Sequence, residues 1–398
     1  LRLSITSNGT HAGGSAYTTG VTTNGTPGSA GAYTQIEVTA TTVQALYYYC
    51  TNHSNMGGSF NTGSSATVQF QDRKGFDVQN FSTDQTSVGQ IYYNTSSGQF
   101  KAIKDGGAPI GTWASGGNFP GNFYLSGASG GTTTAGWTAG GSLAGSYINE
   151  SYEYNGSAWG SAVSMNRNTG GQAGGCGPQT AGIVVSGYTN VGGTRLVNCE
   201  TYNGSAWTEI GDLPANRNEN TTGGTSAAAT AAGGDSPGAT AEYYTYNGSS
   251  WTDAGNINTA RQFANAGNGI STSMLVISGN EPIITNVESW DGSSWTEVSE
   301  VNTGRYRGQA AGADNTAAIF FGGSGVPGNP SKAQTESWNG SAWTEVGDLA
   351  QARKWPGGNG TTSAAFAVGG DTGPGSSELA TTEIWSAPEI QVKTLTTS

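Results

Sequence analysis

Three side chains near residue 50 could bind a transition metal. Cys50, His53 and Met56 stand at the spacing C-x2-H-x2-M, and a thiolate, an imidazole and a weak axial thioether on one tight loop are donors of a blue-copper site. Such a site needs a second imidazole, and the chain has one other histidine, His11. Two ligands that each lie about 2 Å from one ion are at most about 4 Å apart, so copper would require the His11 imidazole to reach the Cys50 sulfur. His11 opens the stretch His-Ala-Gly-Gly-Ser, which reads as a loop, and that distance is expected not to be met. No cofactor is therefore expected, with copper as the alternative. In the metal-free case Cys50 is a small buried residue, and His53 and Met56 serve loop packing.

The loop must be carried by the aromatic strand that ends at Tyr49. Cys50, His53 and Met56 behind such a strand resemble the C-terminal ligand loop of the cupredoxins. The resemblance implies a partial cupredoxin-like β-sandwich over residues 1–60, with the missing histidine supplied by an earlier strand. Residues 61–110 read as a connector with β-hairpins, with Asn94 to Gly98 as a turn.

From residue 111 one pattern recurs. YNGSAW ends at Trp159 and Trp207, YNGSSW at Trp251, WDGSSW at Trp295 and WNGSAW at Trp343. Together with Trp113 these tryptophans are 46, 48, 44, 44 and 48 residues apart, a period that marks a repeat architecture. Each unit holds short apolar runs bounded by Gly, Asn and Ser, which are strands rather than helices. The Asn-Gly or Asp-Gly pair before each tryptophan predicts a two-residue type I′ hairpin, whose central residues both need positive φ. In that register Glu200 faces Trp207 and Tyr202 lies diagonal to it. The first unit begins at Trp113 without a hairpin before it, and the last ends at Trp385 without one behind it. A strand around Trp113 is therefore expected to pair with the strand around Trp385, closing the array. The glycine doublet, the aromatic before the turn and the tryptophan after it resemble the Kelch repeat. The resemblance implies an all-β chain with a six-bladed Kelch-like β-propeller over 111–390 and a C-terminal tail over 391–398.

Composition excludes several functions. A net charge of −12 with only 15 basic residues, spread about one per unit, offers no footprint for phosphate, so nucleic acid is not an expected partner. No apolar run is long enough for a membrane-spanning helix. Glycine supplies 66 of 398 residues, but 17 Tyr, 11 Trp and 11 Phe provide an aromatic core. Cys176 and Cys199 fall on the first and third strands of one unit, about 10 Å apart, and are expected as free, buried thiols.

An enzyme is not expected. No histidine follows residue 53, which leaves the repeats without an imidazole acid, base or copper ligand, unlike galactose oxidase, the nearest Kelch-propeller enzyme. Arg167, Arg217, Arg261, Arg305 and Arg353 recur once per unit, and such symmetry predicts structural packing between blades against Glu200, Glu288, Glu336 and Glu383. The sequons at Asn155, Asn203, Asn247 and Asn339 are turn residues. What varies is the loop after each glycine doublet, starting at Tyr188, Asp235, Asn280, Ser324 and Asp371. Variable loops on a constant scaffold form binding surfaces, with Tyr188 and Trp355 as stacking platforms for a saccharide. The order of sandwich, GQIYYN hairpin and repeats resembles virion appendage proteins of marine bacteriophages. That resemblance implies a non-enzymatic structural or adhesive protein of the virion (fibre, tail or capsid decoration), extracellular, bound to other virion proteins and to a host-surface glycan or receptor. Homo-oligomerisation is a further expectation. The alternative is a secreted copper-binding protein or a Kelch-propeller oxidoreductase.

Overall fold

The computed structural model describes the chain apart from residues 27–28, 30, 38–41, 44, 62–66, 72–77, 82–90, 97–98, 106–110, 125–127, 144–145, 167–170, 190–193, 263–266, 281, 374–376, 388–389 and 395–398. It is nearly all-β; among the described residues the single helical segment is the 3-10 turn Gly9–Ala12. The chain divides into two compact units, Leu1–Gly107 with Glu389–Ser398, and Ala108–Pro388.

In the first unit, Arg2–Ser4 lies between Ala16–Tyr17 and Ala45–Tyr49, and Gly57–Asn61 extends that sheet beyond Ala45–Tyr49. A second sheet runs Val21–Asn24, Tyr33–Glu37, Thr67–Gln71. Leu3 and Leu46 from the first sheet meet Ile36 from the second in a shared core, since alternate residues of a strand point to the same face. A third sheet orders Ile390–Thr394, Gln99–Asp105, Ile91–Asn94 and Val78–Phe81. Asn94 faces Gln99 across the turn expected there. Two boundaries drawn from sequence move. Thr67–Gln71 pairs with Tyr33–Glu37 rather than belonging to a connector, and Ile390–Thr394 is no tail, because it pairs with Lys101 to Asp105.

The second unit repeats one four-stranded antiparallel sheet in a propeller-like arrangement. Sheet I runs Ala128–Thr132, Ala135–Ala139, Ser151–Tyr154, Trp159–Ser161, and sheet II runs Gly174–Cys176, Gly182–Val185, Cys199–Tyr202, Trp207–Ile210. Sheet III runs Thr221–Thr225, Ala228–Ala232, Thr240–Tyr246, Trp251–Arg261, and sheet IV runs Gly267–Ile270, Ser273–Gly279, Ile284–Trp290, Trp295–Val298. Sheet V runs Gln309–Asp314, Ala317–Phe321, Thr335–Trp338, Trp343–Glu345. Sheet VI combines Gly357–Gly360, Ala364–Val368 and Thr382–Ser386 with Thr112–Ser115 from the other end of the unit. The first strands of successive sheets lie against one another, and that of sheet VI lies against that of sheet I. A cavity of about 230 Å³ touches all six of these strands near their C-terminal ends, at Thr132, Cys176, Gly224, Gly269, Ala311 and Asn359. Cys176 and Cys199 are buried and outside any disulfide, on the first and third strands of sheet II.

The hairpins differ from the expected type. Tyr202 itself faces Trp207, and Glu200 faces Glu209. The loop has four residues, closed by Asn203 N–H donating to the Ala206 carbonyl at 3.2 Å, and only Gly204 takes a positive φ, 90°. Asn203 Oδ1 accepts from Ser205 N, Ser205 Oγ and Ala206 N at 2.8–2.9 Å. Asn155, Asn247, Asp291 and Asn339 accept in the same way. The Asn or Asp is thus selected as an acceptor rather than for left-handed backbone, and the two extra loop residues shift the pairing by two.

The recurrent arginines are buried ion-pair partners of the linkers between sheets. Arg261 pairs with Glu288, Arg305 with Glu336 at 2.5 Å and Arg353 with Glu383 at 2.5 Å, all nearly inaccessible to solvent. The same carboxylates accept backbone N–H groups from residues two or three positions before each arginine, from Thr259 at 3.1 Å, Asn302 at 2.7 Å and Ala350 at 2.6 Å. Sheets I and III depart from the pattern, since Tyr152 and Tyr244 stand where sheets II, IV, V and VI carry the glutamate. In sheet III Arg217 turns to Glu242 at 2.5 Å and lies 4.6 Å over the Tyr244 ring. Glu200 holds the Asn166 N–H at 2.9 Å, and Arg167 lies outside the described residues.

Candidate functional site

The Cys50–Met56 loop is closed by the Cys50 N–H donating to the Met56 carbonyl at 2.8 Å. Asn8 braces it against the turn that carries His11, accepting from Asn55 N at 2.7 Å and donating to Asn55 Oδ1 at 3.2 Å. Cys50 Sγ lies 3.4 Å from His53 Nδ1. The His11 Nε2 instead sits 2.9 Å from the Cys50 backbone carbonyl, and the Met56 side chain is exposed. No three His, Cys, Asp or Glu side chains converge among the described residues. Of the four candidate ligands, only the thiol and one imidazole meet through donor atoms, which does not fit a blue-copper set. Cys50 lies at the surface rather than in a core, and its thiol is held below the usual range, first by the Asn52 backbone N–H and then by the His53 side chain.

A second constellation forms at the end of the ring where the first strands begin. The variable loops are pinned there. Asp235, Asn280, Ser324 and Asp371 each form a bridge with Asn218, Gln262, Tyr306 and Lys354, which lead into the first strands, whereas Tyr188 pairs with Arg195 within its own loop. These first loop residues therefore build a compact rim, in which Ser324 and Asp371 are buried.

Inside that rim, one position of the repeat recurs with four different chemistries. Gln172, Glu219, Arg307 and Trp355 each stand two residues before a first strand, all with left-handed backbone, at φ 72°, 60°, 62° and 52°. For a non-glycine residue this conformation costs roughly 1–2 kcal/mol, and such strain gathers at functional sites. Adjacent members are tied through backbone, with Glu219 N–H donating to the Gln172 carbonyl and Trp355 N–H to the Arg307 carbonyl, both at 2.8 Å. The Arg307 guanidinium lies 3.9 Å from the Trp355 ring centroid and 4.5 Å from that of Tyr306, a cation–π arrangement. Asn218 Nδ2 donates to Gln172 Oε1 at 2.7 Å.

The rim carboxylates differ in their commitments. Asp235 pairs with Arg195 at 2.5 Å and accepts from Gly238 N. Asp371 lies 3.6 Å from Lys354 Nζ and accepts from Gly373 N at 2.9 Å. Glu219 is 3% exposed. Burial foremost, and then the charge of Asp235, push its carboxyl up to about 9 against the pull of Arg307 and Arg195, so it is protonated at neutral pH. Glu219 Oε2, Asn218 Oδ1 and Asn220 Nδ2 have no hydrogen-bond partner among the described residues, which leaves three buried polar atoms on consecutive residues with unused capacity.

Of this rim, the sequence pointed to the loop residues and Trp355 but not to Gln172, Glu219 or Arg307. Glu219, Arg307 and Trp355 each stand two residues after a recurrent arginine, Arg217, Arg305 and Arg353, and the variety of chemistry at that position was the signal.

No family model matches the chain, and no curated protein matches it. Among solved structures, the structure of YjhT is similar, with a TM-score of 0.56 and 16% identity over 69% of this chain and 99% of that chain. That likeness shows an all-β fold of repeated four-stranded sheets shared with a solved protein.

Proposed function

We propose that this chain is a non-enzymatic appendage protein of a bacteriophage particle, whose six-bladed Kelch-like propeller is displayed for recognition of a host surface or glycan. The observation that carries this reading is the column Gln172, Glu219, Arg307 and Trp355, where one strained backbone position presents an amide, an acid, a guanidinium and an indole. A purely structural position would repeat one residue, as the buried arginines do. The phage assignment draws on the resemblance of the module order to virion appendage proteins. The six blades draw on the contacts between successive first strands, and the cupredoxin-like module on the core shared by Leu3, Ile36 and Leu46. Other virion proteins anchor the first unit in this reading, and the chain acts outside the cell without nucleic acid or membrane insertion.

Antibody raised against the chain should label purified particles by electron microscopy, and the purified chain added in excess should slow particle adsorption to host cells several-fold. Unlabelled particles, together with unchanged adsorption, would exclude the proposal.

A further inference from the structure

We infer that a recess on the outer strands of sheet I binds an amino sugar, with the Glu153 carboxylate holding its ammonium group. The recess has a volume of about 330 Å³, and Thr134, Glu153, Asn155, Gly160, Ser161 and Gln179 are among the residues that line it. It shares no residue with the rim or with the cavity at the first strands, and the inference does not depend on the recognition role proposed above.

The recess exists because sheet I breaks the repeat at one pair of facing positions. Glu153 faces Gly160, where the next four sheets pair Thr201 with Thr208, Thr245 with Thr252, Ser289 with Thr296 and Ser337 with Thr344. A Cβ added to Gly160 would meet nothing within 4 Å, so the missing side chain leaves open space beside the carboxylate. Gly160 is not among the residues with positive φ, so its backbone does not demand a glycine. Neither packing nor turn geometry accounts for the exchange of two hydroxyl residues for a glycine and an acid.

Glu153 and Gln179 offer acceptors to the recess, because the donors beside them are committed. The Tyr202 hydroxyl of sheet II donates to Glu153 Oε1 at 2.8 Å, and burial foremost pushes that phenol up to about 12, so it stays protonated. Gln179 Nε2 donates to the Gly136 carbonyl at 3.1 Å, which leaves Gln179 Oε1 as an acceptor. Among the described residues Glu153 Oε2 has no partner, and no Lys, Arg or His lines the recess. A primary ammonium matches such a set, with three donors, no acceptor and a charge opposite to the carboxylate. An ammonium group alone, about the size of a water molecule, would leave most of the recess empty. The Thr134 and Ser161 hydroxyls and the Asn155 amide supply partners for sugar hydroxyls in the remaining space.

The test is calorimetry on the full chain in mildly acidic buffer, where a sugar amine is charged. The probes are a glucosamine trisaccharide, the same trisaccharide fully N-acetylated, and butylamine. The free amine should bind about tenfold or more tighter than the N-acetylated form, which has lost the charge, and also about tenfold or more tighter than butylamine, which lacks the hydroxyls. Gly160→Thr installs the residue that four other sheets carry, so it should melt like wild type while abolishing binding. Glu153→Gln keeps the shape and an acceptor for Tyr202, and it should weaken the amino sugar about tenfold or more. No binding of the amino sugar, equal binding of its N-acetylated form or of butylamine, or wild-type affinity in Gly160→Thr would each overturn the inference. Should Glu153→Gln fail to fold, Gly160→Thr decides. The outcome is independent of particle labelling, so amino-sugar binding by a chain absent from particles would remove the virion reading and leave this one standing.

Discussion

Trp113 faces Trp385 directly across two strands that come from opposite ends of the second unit, with ring centroids 5.6 Å apart. The same aromatic pair recurs at the hairpins, Tyr202 with Trp207 at 4.8 Å and Trp338 with Trp343 at 5.4 Å. Sheet VI therefore reproduces the hairpin contact without a hairpin, and Trp113 Nε1 also donates to Thr335 Oγ1 in sheet V at 3.0 Å. Truncating a buried tryptophan costs ~3–5 kcal/mol, so Trp113→Ala and Trp207→Ala should lower the urea midpoint by similar amounts. A Trp113→Ala midpoint close to wild type would show that closure contributes little.

The linker ion pairs should be costly to break where they are buried and cheap where they are not. Glu336→Gln leaves the Arg305 charge enclosed, and such losses run to ~3–5 kcal/mol. Glu242 is 40% exposed beside Arg217, and solvent screening reduces the corresponding loss in Glu242→Gln to about 1 kcal/mol or less. Equal destabilisation of the two variants in thermal melts would contradict this ordering.

Glu219 makes stability depend on pH in a definite direction. Its carboxyl is raised from the ordinary 4.5 to about 9, so across that window the folded protein keeps a proton that the unfolded chain has released. Its contribution is full below pH 4.5, declines as pH rises and is lost once pH passes about 9. Glu219→Gln cannot ionise, so its stability relative to wild type should improve from pH 5 to pH 9, by on the order of a few kcal/mol. Melting curves of the two proteins that run parallel over this range would refute the assignment.

The hairpin loops depend on a side-chain acceptor. Asn247 Oδ1 receives three hydrogen bonds, from Ser249 N, Ser249 Oγ and Ser250 N. Asn247→Ala should destabilise by about 1 kcal/mol, while Asn247→Asp should be close to neutral, as Asp291 already fills the same role. An alanine variant as stable as wild type would mean that Gly248 alone sets the loop.

The repeat and its strands could be read from the tryptophan spacing, and the pairing of Trp113 with Trp385 from the half-hairpins at the two ends, because an in-phase aromatic and a Gly-Gly or Ser-Gly pair in every unit leave few alternative pairings. The hairpin register could not. Asn-Gly signals both a two-residue turn and the first half of a four-residue loop, and the choice falls to Ser205 and its counterparts, which add further donors to Asn203. The arginine partners were legible in sheets IV to VI, but Arg217 was misassigned because Tyr244 displaces the glutamate. The rim was half legible. Its loops stand out by varying, whereas Glu219 and Arg307 look like ordinary surface charges until the backbone turns them inward. At the first unit, the spacing of Cys50, His53 and Met56 could not show that Met56 stays exposed or that His11 turns to a backbone carbonyl.

Thr112 and Ser386, the first and last paired residues of sheet VI, face one another, so the chain arrives at and departs from the ring at neighbouring points. Two covalent straps, one from each end of the second unit, thus join it to the first. A protease that severs any single loop of the ring releases neither piece, since each stays fastened by its own strap.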